Sequence, residues 1–292
     1  MNSSVAPTPR LRARTLLFDL YGDYAIEGDR SGALAVGAAV RLGLDLGFAE
    51  MATRSAMNRM ARDGWLVAQR QGRSSVYALT QRGRQLVEAG RTRIFAAVDR
   101  SWAGNWCLVA LSVPESHREV RDRMRLGLSW LGFGSPSSSL YVSPHDHSKE
   151  VLRIASEMEA DGYVQVYQAV LEWPGARELV NRAWGDLAKV NARYAAFLND
   201  FTPGYERAHA AGGNQSGLDV EAFKVRLMLA SQFRRCLFGD PALPASLLPA
   251  AWWSDPARQL FLDYHALLTP GAVRHFDTVC ATYGRRAQAL MA

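Results

Sequence analysis

The first third of the chain alternates between helical and strand-like hydrophobic patterns. Apolar residues recur every three or four positions in four stretches, which is the spacing of one face of an α-helix. Two short stretches that favour β-strands lie between the third and the fourth of these. The pattern predicts helices at Arg14–Tyr24, Ala33–Leu46, Ala52–Asp63 and Gln85–Ala97, and strands at Trp65–Val67 and Ser75–Leu79.

The third predicted helix divides into two chemically different faces. At about 100° per residue, one face holds only polar or basic side chains, which are Arg54, Ser55, Asn58, Arg59 and Arg62. The opposite face holds Thr53, Ala56, Met57 and Met60. This division predicts a recognition helix, because the apolar face can dock on the preceding helices while the other face reaches phosphates and base edges. A solvated surface helix is the alternative interpretation, although such a face usually carries acids as well.

The hairpin that follows this helix is typical of a wing. Its turn, Gln71–Ser74, brings Arg70 and Arg73 to the tip, where they can contact phosphates or a minor groove. The segment from Glu50 to Arg93 contains nine arginines against three acids, a surplus of six that equals the formal net charge of the whole chain, +6. We therefore expect a winged helix-turn-helix domain over residues 1–98 that binds double-stranded DNA.

Residues 99–173 show the pattern of a compact α+β unit. The predicted order is strand, helix, strand, helix, strand, at Trp106–Val113, Pro114–Leu131, Leu140–Ser143, Ser148–Asp161 and Tyr163–Glu172. The connection Gly132–Ser139 is predicted to be a loop. This order fits a small ferredoxin-like domain of the split βαβ type, and we expect it to be a structural or dimerising module.

Residues 174–292 are predicted to form a helical domain, which makes the whole chain a multidomain α+β protein. The expected helices are Ala176–Asp200, Leu218–Leu237, Asp255–Leu268 and Gly271–Leu290. Pro203 is expected to end the first of them. Four aromatic residues are candidates to line a ligand pocket, although aromatic residues at helical spacing are more often core: Trp184, Trp252, Trp253 and Tyr264.

No group of residues has the spacing of a catalytic or metal-binding site. The three cysteines, Cys107, Cys236 and Cys280, are too far apart for a Cys-x-x-Cys site and suit a reducing cytoplasm. His145 and His147 lack a third ligand at a diagnostic spacing. Nucleophile elbow, phosphate loop and dinucleotide fingerprint are absent from the sequence. We expect a cytoplasmic protein without catalytic residues, cofactor, metal or membrane association.

Four motifs resemble the PaaX family of bacterial repressors, which control genes for phenylacetic-acid breakdown. They are LLFDLYGDY (16–24), TRSAMNRMARDGWL (53–66), YALTQRGR (77–84) and DPALPASLLPAAW (240–252). The resemblance implies a winged helix, a ferredoxin-like central domain similar to a CRISPR-associated nuclease but acting as a non-enzymatic dimer module, and a helical C-terminal domain. It also implies that Arg54, Ser55 and Arg59 belong to the recognition helix, and that an aryl-CoA thioester such as phenylacetyl-CoA relieves repression. Asn58 stands where the family commonly has a small hydroxyl residue, which implies a different operator.

The favoured hypothesis is a ligand-responsive repressor that binds operator DNA as a homodimer. Its inducer would be an aryl-CoA or an aromatic acid of a catabolic operon. Cations beside apolar walls are expected to bind that effector, first Arg234 and Arg235, then Arg182 and Arg193, with Trp184 nearby. Two alternatives stay open at this point: a DNA-targeted metal-dependent nuclease and a ligand-independent nucleic-acid-binding protein.

Overall fold

The computed structural model describes residues 13–26, 32–71, 74–96, 100–170, 175–185, 187–212, 218–237 and 240–289. The chain folds into two compact units. Unit 1 comprises Met1–Ala96, Leu198–Arg234 and Arg258–Ala292, and unit 2 comprises Ala97–Phe197 and Arg235–Ala257. Ten α-helices and seven strands lie within the described ranges, so the fold is of the mixed α+β class. None of the helices in those ranges combines the length and the hydropathy that a membrane span needs.

The N-terminal part of unit 1 contains the elements that the hydrophobic pattern predicts, with two additions. Its order is α1 (Ala13–Leu20), a π-helical turn (Tyr21–Ala25), β1 (Ala33–Ala35), α2 (Val36–Asp45), α3 (Glu50–Arg62), β2 (Leu66–Gln71), β3 (Ser74–Leu79) and α4 (Gln81–Phe95). The additions are the π-helical turn and β1. The three strands form an antiparallel sheet in the order β1-β3-β2.

Three long helices follow later in the chain, and parts of them complete unit 1. They are α8 (Leu187–Ala210), α9 (Asp219–Leu237) and α10 (Ser254–Ala289), and they are numbered after the helices of unit 2 given below. One hydrophobic core joins α1, α2 and α3 to Phe223 and Leu227 of α9 and to Ala272, Phe276 and Val279 of α10. The predicted boundaries at residues 98 and 173 therefore group the residues differently from the two compact units, which place most of the last helices with the first 96 residues.

Unit 2 contains a four-stranded antiparallel sheet in the order β5-β6-β4-β7. The elements run β4 (Asn105–Leu111), α5 (Arg118–Trp130), β5 (Gly134–Ser137), β6 (Leu140–Ser143), α6 (Ser148–Glu157) and β7 (Val164–Val170), followed by α7 (Ala176–Trp184). The strand β5 lies in the segment predicted to be a loop, so that prediction was wrong. Its sequence, Gly-Ser-Pro-Ser, has no apolar alternation, and it is a strand only because β6 pairs with it.

Two prolines lie inside helices that the sequence predicted them to end or separate. Pro203 lies within α8, and Pro270 lies within α10, which is one helix rather than a pair. A proline removes one helical hydrogen bond at a cost of about 3 kcal/mol. In α10, buried Phe261 precedes Pro270 and buried Phe276 follows it, so both sides are held by tertiary packing that outweighs this cost.

The first predicted C-terminal helix is interrupted where the sequence gives only a glycine signal. The structure has α7 end at Trp184 and α8 begin at Leu187. Gly185 between them has φ +65°, a left-handed conformation that favours glycine. The single helix predicted over Ala176–Asp200 is therefore two helices.

Gly83 fixes the approach of α4 to the start of β2. A Cβ atom at this position would lie 2.1 Å from the carbonyl oxygen of Trp65. Thr80, the N-cap residue of α4, accepts a hydrogen bond from the Gly83 amide at 3.0 Å. Its hydroxyl donates to the Gly64 carbonyl at 2.7 Å. The seventh residue of the YALTQRGR motif, Gly83, is thus the one residue type that lets the hairpin and α4 meet.

We predict that Gly83→Ala lowers the free energy of unfolding by about 1–3 kcal/mol, because the new methyl group meets backbone that must shift. Gly90→Ala in the same helix is the matched control, since nothing lies within 4 Å of its added Cβ. The control should be neutral or more stable by up to about 1 kcal/mol through helix propensity. Urea unfolding of the two variants measures the difference. Equal midpoints would show that the close approach of α4 is not required.

Candidate DNA-binding surface

The helix α3 presents the two faces that its sequence predicts. Four residues of one face, Thr53, Ala56, Met57 and Met60, are at most 2% exposed and belong to or border the core of unit 1. The five residues of the other face, Arg54, Ser55, Asn58, Arg59 and Arg62, are all exposed. We call the six residues made up of these five and the exposed Arg70 of β2 the basic face. The predicted division of α3 into an exposed polar face and a buried face is confirmed.

A close helix–helix contact holds α3 against α2. A Cβ atom on Gly43 would lie 2.4 Å from the Thr53 hydroxyl oxygen, so only glycine lets the two helices approach this closely. The connection between them is short, running from Leu46 to Ala49. The result is two helices joined by a tight turn, with the second exposing its basic side.

The hairpin also positions one residue of the basic face. The Tyr77 hydroxyl on β3 donates a hydrogen bond to Asn58 Oδ1 at 2.6 Å. The backbone carbonyl of Tyr77 accepts one from the buried Tyr21 hydroxyl at 2.9 Å. Asn58 is therefore held through its oxygen, and its amide nitrogen keeps two N–H groups available for donation. This contact was not predicted, because the pattern around Tyr77 indicates only an alternating strand residue.

The arginines of the basic face on α3 differ in whether they form a salt bridge with an acidic side chain. Arg54 pairs with Glu50 one turn earlier at 2.7 Å, and both side chains are about half exposed. Such a pair contributes little and can exchange partners easily. Across the described ranges, neither Arg59 nor Arg62 has a salt-bridge partner. The acid at the end of α3, Asp63, is paired with Arg14 at 3.0 Å.

Of the two arginines predicted at the tip of the hairpin, the structure describes one. Arg70 is exposed on β2. Arg73, predicted to share the tip with it, lies outside the described residues. Nearby, the Arg82 guanidinium lies 4.3 Å from the centre of the Trp65 ring, a cation–π contact that stabilises the base of the hairpin. From Glu50 to Gln71, which covers α3 and β2, the sequence has four arginines and two acids.

The predicted effector residues have different partners in the structure. Arg234 donates two hydrogen bonds to the Asp19 carboxylate, at 2.7 and 3.1 Å, so its fork already serves a part-buried ion pair. Arg193 donates to the backbone carbonyl of Arg235 at 3.3 Å, which brings these two residues together. Trp184 donates to the Gly132 carbonyl at 3.0 Å. Arg182 is exposed on α7.

The histidine pair in unit 2 has structural partners. His145 Nε2 lies 2.7 Å from the carbonyl oxygen of Ala242. Asp146 accepts hydrogen bonds from the hydroxyl of Ser148 at 2.5 Å, from its amide at 3.0 Å and from Gln168 at 2.9 Å. These bonds, the Ser148 hydroxyl above all, hold the pKa of the Asp146 carboxyl below its usual value. In the part of the chain that the structure describes, no group of three or more His, Cys, Asp or Glu side chains is placed to hold a metal ion.

Comparison with known proteins gives consistent matches along the chain. Three family models match in order: PaaX-like protein at residues 12–83, PaaX protein central Cas2-like domain at residues 99–180, and PaaX-like protein C-terminal domain at residues 184–278. The transcriptional repressor PaaX of Escherichia coli (strain K12) is 31% identical over 263 residues, which are 89% of this chain and 81% of that protein. Among solved structures, the uncharacterized protein Rv0674 from Mycobacterium tuberculosis matches with a TM-score of 0.55 at 23% identity, covering 92% of this chain and 99% of that one.

The solved structure supports the fold alone, whereas the family models and the repressor of E. coli identify the kind of protein. Both bear out the resemblance carried by the four motifs. They also decide between the regulator and the nuclease, because the homologue is a transcriptional repressor and not an enzyme. The chain belongs to the PaaX family of transcriptional repressors.

Proposed function

We propose that the chain represses transcription by binding operator DNA as a homodimer through a winged helix-turn-helix, and that a small-molecule inducer releases it. The observation that carries the proposal is the exposed side of α3, which holds three arginines, a serine and an asparagine, while its opposite side is buried. A helix of this kind, fixed on a core and followed by a basic hairpin, suits insertion into the major groove. The proposal includes a cytoplasmic location for the protein, as expected from the sequence, since a repressor must reach the DNA.

In this proposal, α2 and α3 are the helix-turn-helix and the β2–β3 hairpin is the wing. Arg59 and Arg62 offer guanidinium forks that match the two acceptors of a guanine edge or a phosphate. Asn58 offers its amide N–H groups beside them, and Ser55 a hydroxyl. The hairpin arginines Arg70 and Arg73 are assigned to contacts with the phosphate backbone of the DNA. The domain limits of 1–98, 99–173 and 174–292 remain part of the proposal.

Homodimerisation is proposed because one winged helix contacts too few base pairs to select a single operator, and a two-fold dimer doubles the site. The central sheet supports it. Its strand β7 lies at the edge of the described sheet, and two large apolar side chains on it are exposed, Tyr167 by 50% and Val170 by 68%. Edge strands with exposed apolar residues readily pair with another chain.

The inducer is proposed to be an aryl-CoA or an aromatic acid. Arg182, Arg193, Arg235 and Trp184 stay predicted effector residues. Arg234 fits that role less well, because releasing its guanidinium would leave the buried Asp19 carboxylate without its partner.

We predict that Arg59→Ala and Arg70→Ala weaken DNA binding in different ways. The reference is a duplex selected by the protein from a random library, with binding measured over a range of salt concentrations. Wild type should show a slope of several units in log affinity against log salt, about 0.9 for each phosphate contact. Arg70→Ala should reduce this slope by about one unit per protomer and weaken all sequences alike.

Arg59→Ala should cost about 1–3 kcal/mol on the selected duplex and relax the preference at one operator position, because a lost bidentate contact removes discrimination. Arg123→Ala is the control, since Arg123 is an exposed helical arginine of unit 2. A wild-type slope near zero would refute the DNA-binding proposal. If Arg59→Ala weakened binding to all DNA sequences equally, Arg59 would contact a phosphate and not a base.

We predict that the protein is a dimer at micromolar concentration. Val170→Lys should raise the dissociation constant of this dimer by about tenfold or more, because the variant interface would bury an unpaired charge. Leu126→Lys is the matched control, since Leu126 is an exposed leucine on α5. Sedimentation velocity measures both. A monomeric wild type with full operator affinity would contradict the dimer, and a Val170→Lys protein that dimerises like wild type would contradict the role of β7.

A further inference from the structure

The helix α3 begins two residues before the start that its sequence pattern predicts. The predicted helix was Ala52–Asp63, whereas the observed helix is Glu50–Arg62. The amide of Thr53 donates a hydrogen bond to the carbonyl of Ala49 at 3.2 Å, which closes the added turn. Met51, which lay outside the predicted helix, therefore belongs to the first turn of α3.

Met51 is the most exposed of the large apolar side chains in the part of the chain that the structure describes. It is 73% exposed, whereas the other two methionines of the helix, Met57 and Met60, are at most 1% exposed. Single apolar residues are common on protein surfaces, so exposure alone assigns no role to this one. Its neighbours on the helix surface decide what it can contact.

Met51 lies at the centre of the exposed side of α3. A helical wheel at about 100° per residue places it between Asn58 and Arg62, each about 20° away. On the same wheel, Arg54 and Arg59 lie further out on either side of these three residues. When a helix enters the major groove, the centre of such a side approaches the base edges and its flanks approach the phosphates. Met51 is thus an apolar centre within a surface of cations and hydrogen-bonding groups.

The first turn of α3 is held in place by the elements around it. Thr53, two residues after Met51, is buried in the close contact with Gly43 of α2 described above. The adjacent acid, Glu50, is paired with Arg54 at 2.7 Å. The backbone beneath Met51 is therefore fixed, while its unbranched thioether chain adapts its shape to the surface that it meets. Residues near the N-terminus of a recognition helix are the ones that contact base edges.

The major groove offers an apolar side chain one matching group. Every base pair displays hydrogen-bond donors or acceptors there, and thymine alone adds a methyl group at C5. The Met51 side chain has no hydrogen-bond donor, and its sulfur is only a weak acceptor. Covering a guanine edge or a phosphate with it would remove water from polar groups without replacing their hydrogen bonds. Contact with a thymine methyl group carries no such penalty.

We propose that Met51 contacts the 5-methyl group of a thymine in each operator half-site and is a specificity-determining residue of α3. The assignment rests on the proposed DNA binding through this helix, and it adds an apolar contact to the arginine and asparagine contacts of the basic face. Burying one methyl group corresponds to about a fourfold change in affinity. Because no charge is involved, the contact does not contribute to the salt dependence of binding.

Deoxyuridine substitution tests the contact, since uracil lacks only this methyl group and pairs with adenine as thymine does. Each thymine of the selected duplex is replaced singly, and binding to the full chain is measured over a range of salt concentrations. Wild type should lose about fourfold in affinity at one thymine of each half-site. The slope of log affinity against log salt should stay unchanged at that position.

Met51→Ala should remove the response to the methyl group. Its affinity for the unmodified duplex should fall by at least about fourfold. The deoxyuridine substitution that weakens wild type should then change its affinity by less than about twofold, because the two changes remove the same contact. Met51→Leu, which keeps an apolar side chain, should retain the preference for thymine.

The control variant is Leu126→Ala, since Leu126 is an exposed leucine on α5. It should bind the thymine and uracil duplexes as wild type does. Met51 is exposed and alanine favours helices, so Met51→Ala should unfold at the same urea concentration as wild type or at a higher one. Urea unfolding of this variant therefore separates a lost contact from a lost fold.

Oxidation by dilute hydrogen peroxide gives a second readout that needs no variant. In the free protein, Met51 should form the sulfoxide faster than Met57 and Met60, since these two are buried. The bound selected duplex should protect Met51 from oxidation, as measured by mass spectrometry of the digested protein.

Three results would overturn the contact and leave the repressor function standing. They are binding that is unaffected by uracil at every thymine of the selected duplex, a methyl effect that persists unchanged in Met51→Ala, and equal oxidation of Met51 with and without the bound duplex. A protein that binds no DNA sequence in preference to others would refute the proposed function, and this contact with it.

Discussion

Two carboxylates buried at the start of unit 1 require partners from the other end of the chain. Asp23 is 5% exposed and binds His265 Nε2 at 2.8 Å and the fully buried Arg226 at 3.2 Å. Asp19 is 8% exposed and accepts both hydrogen bonds of Arg234. Breaking such a pair by removing one partner costs about 3–5 kcal/mol, because the other charge stays buried. The first helix can therefore reach its native packing only when α9 and α10 are in place.

This requirement explains why residues far apart in sequence share one core. The Arg226 guanidinium also lies 4.5 Å from the centre of the Tyr24 ring, and Tyr24 in turn stacks on Phe276. The basic face thus lies in a compact unit that also includes parts of the last helices. A change in the packing of α9 or α10 reaches α3 through contacts within one core.

The hydrophobic pattern predicted the elements whose formation depends on residues close together in the sequence. The two faces of α3 follow from 3.6 residues per turn, and the hairpin follows from alternation and a turn. The partners of Asp19 and Asp23 were not predictable in this way, because they lie more than 200 positions later in the chain. Two wrong predictions also arose because tertiary contacts override local sequence signals. The segment predicted to be a loop forms β5 because it pairs with β6. The helix α10 continues through Pro270 because residues on both sides of the proline are buried.

The central claim is that DNA lies on the basic face, and arginine modification tests it most directly. The protein would be treated with phenylglyoxal with and without its selected duplex, and modified arginines counted by mass spectrometry. The account predicts strong protection by DNA of Arg59, Arg62 and Arg70, with no protection of Arg118 and Arg123, which are exposed on α5. Protection confined to the arginines of α5, with Arg59 and Arg62 reacting as in the free protein, would contradict it.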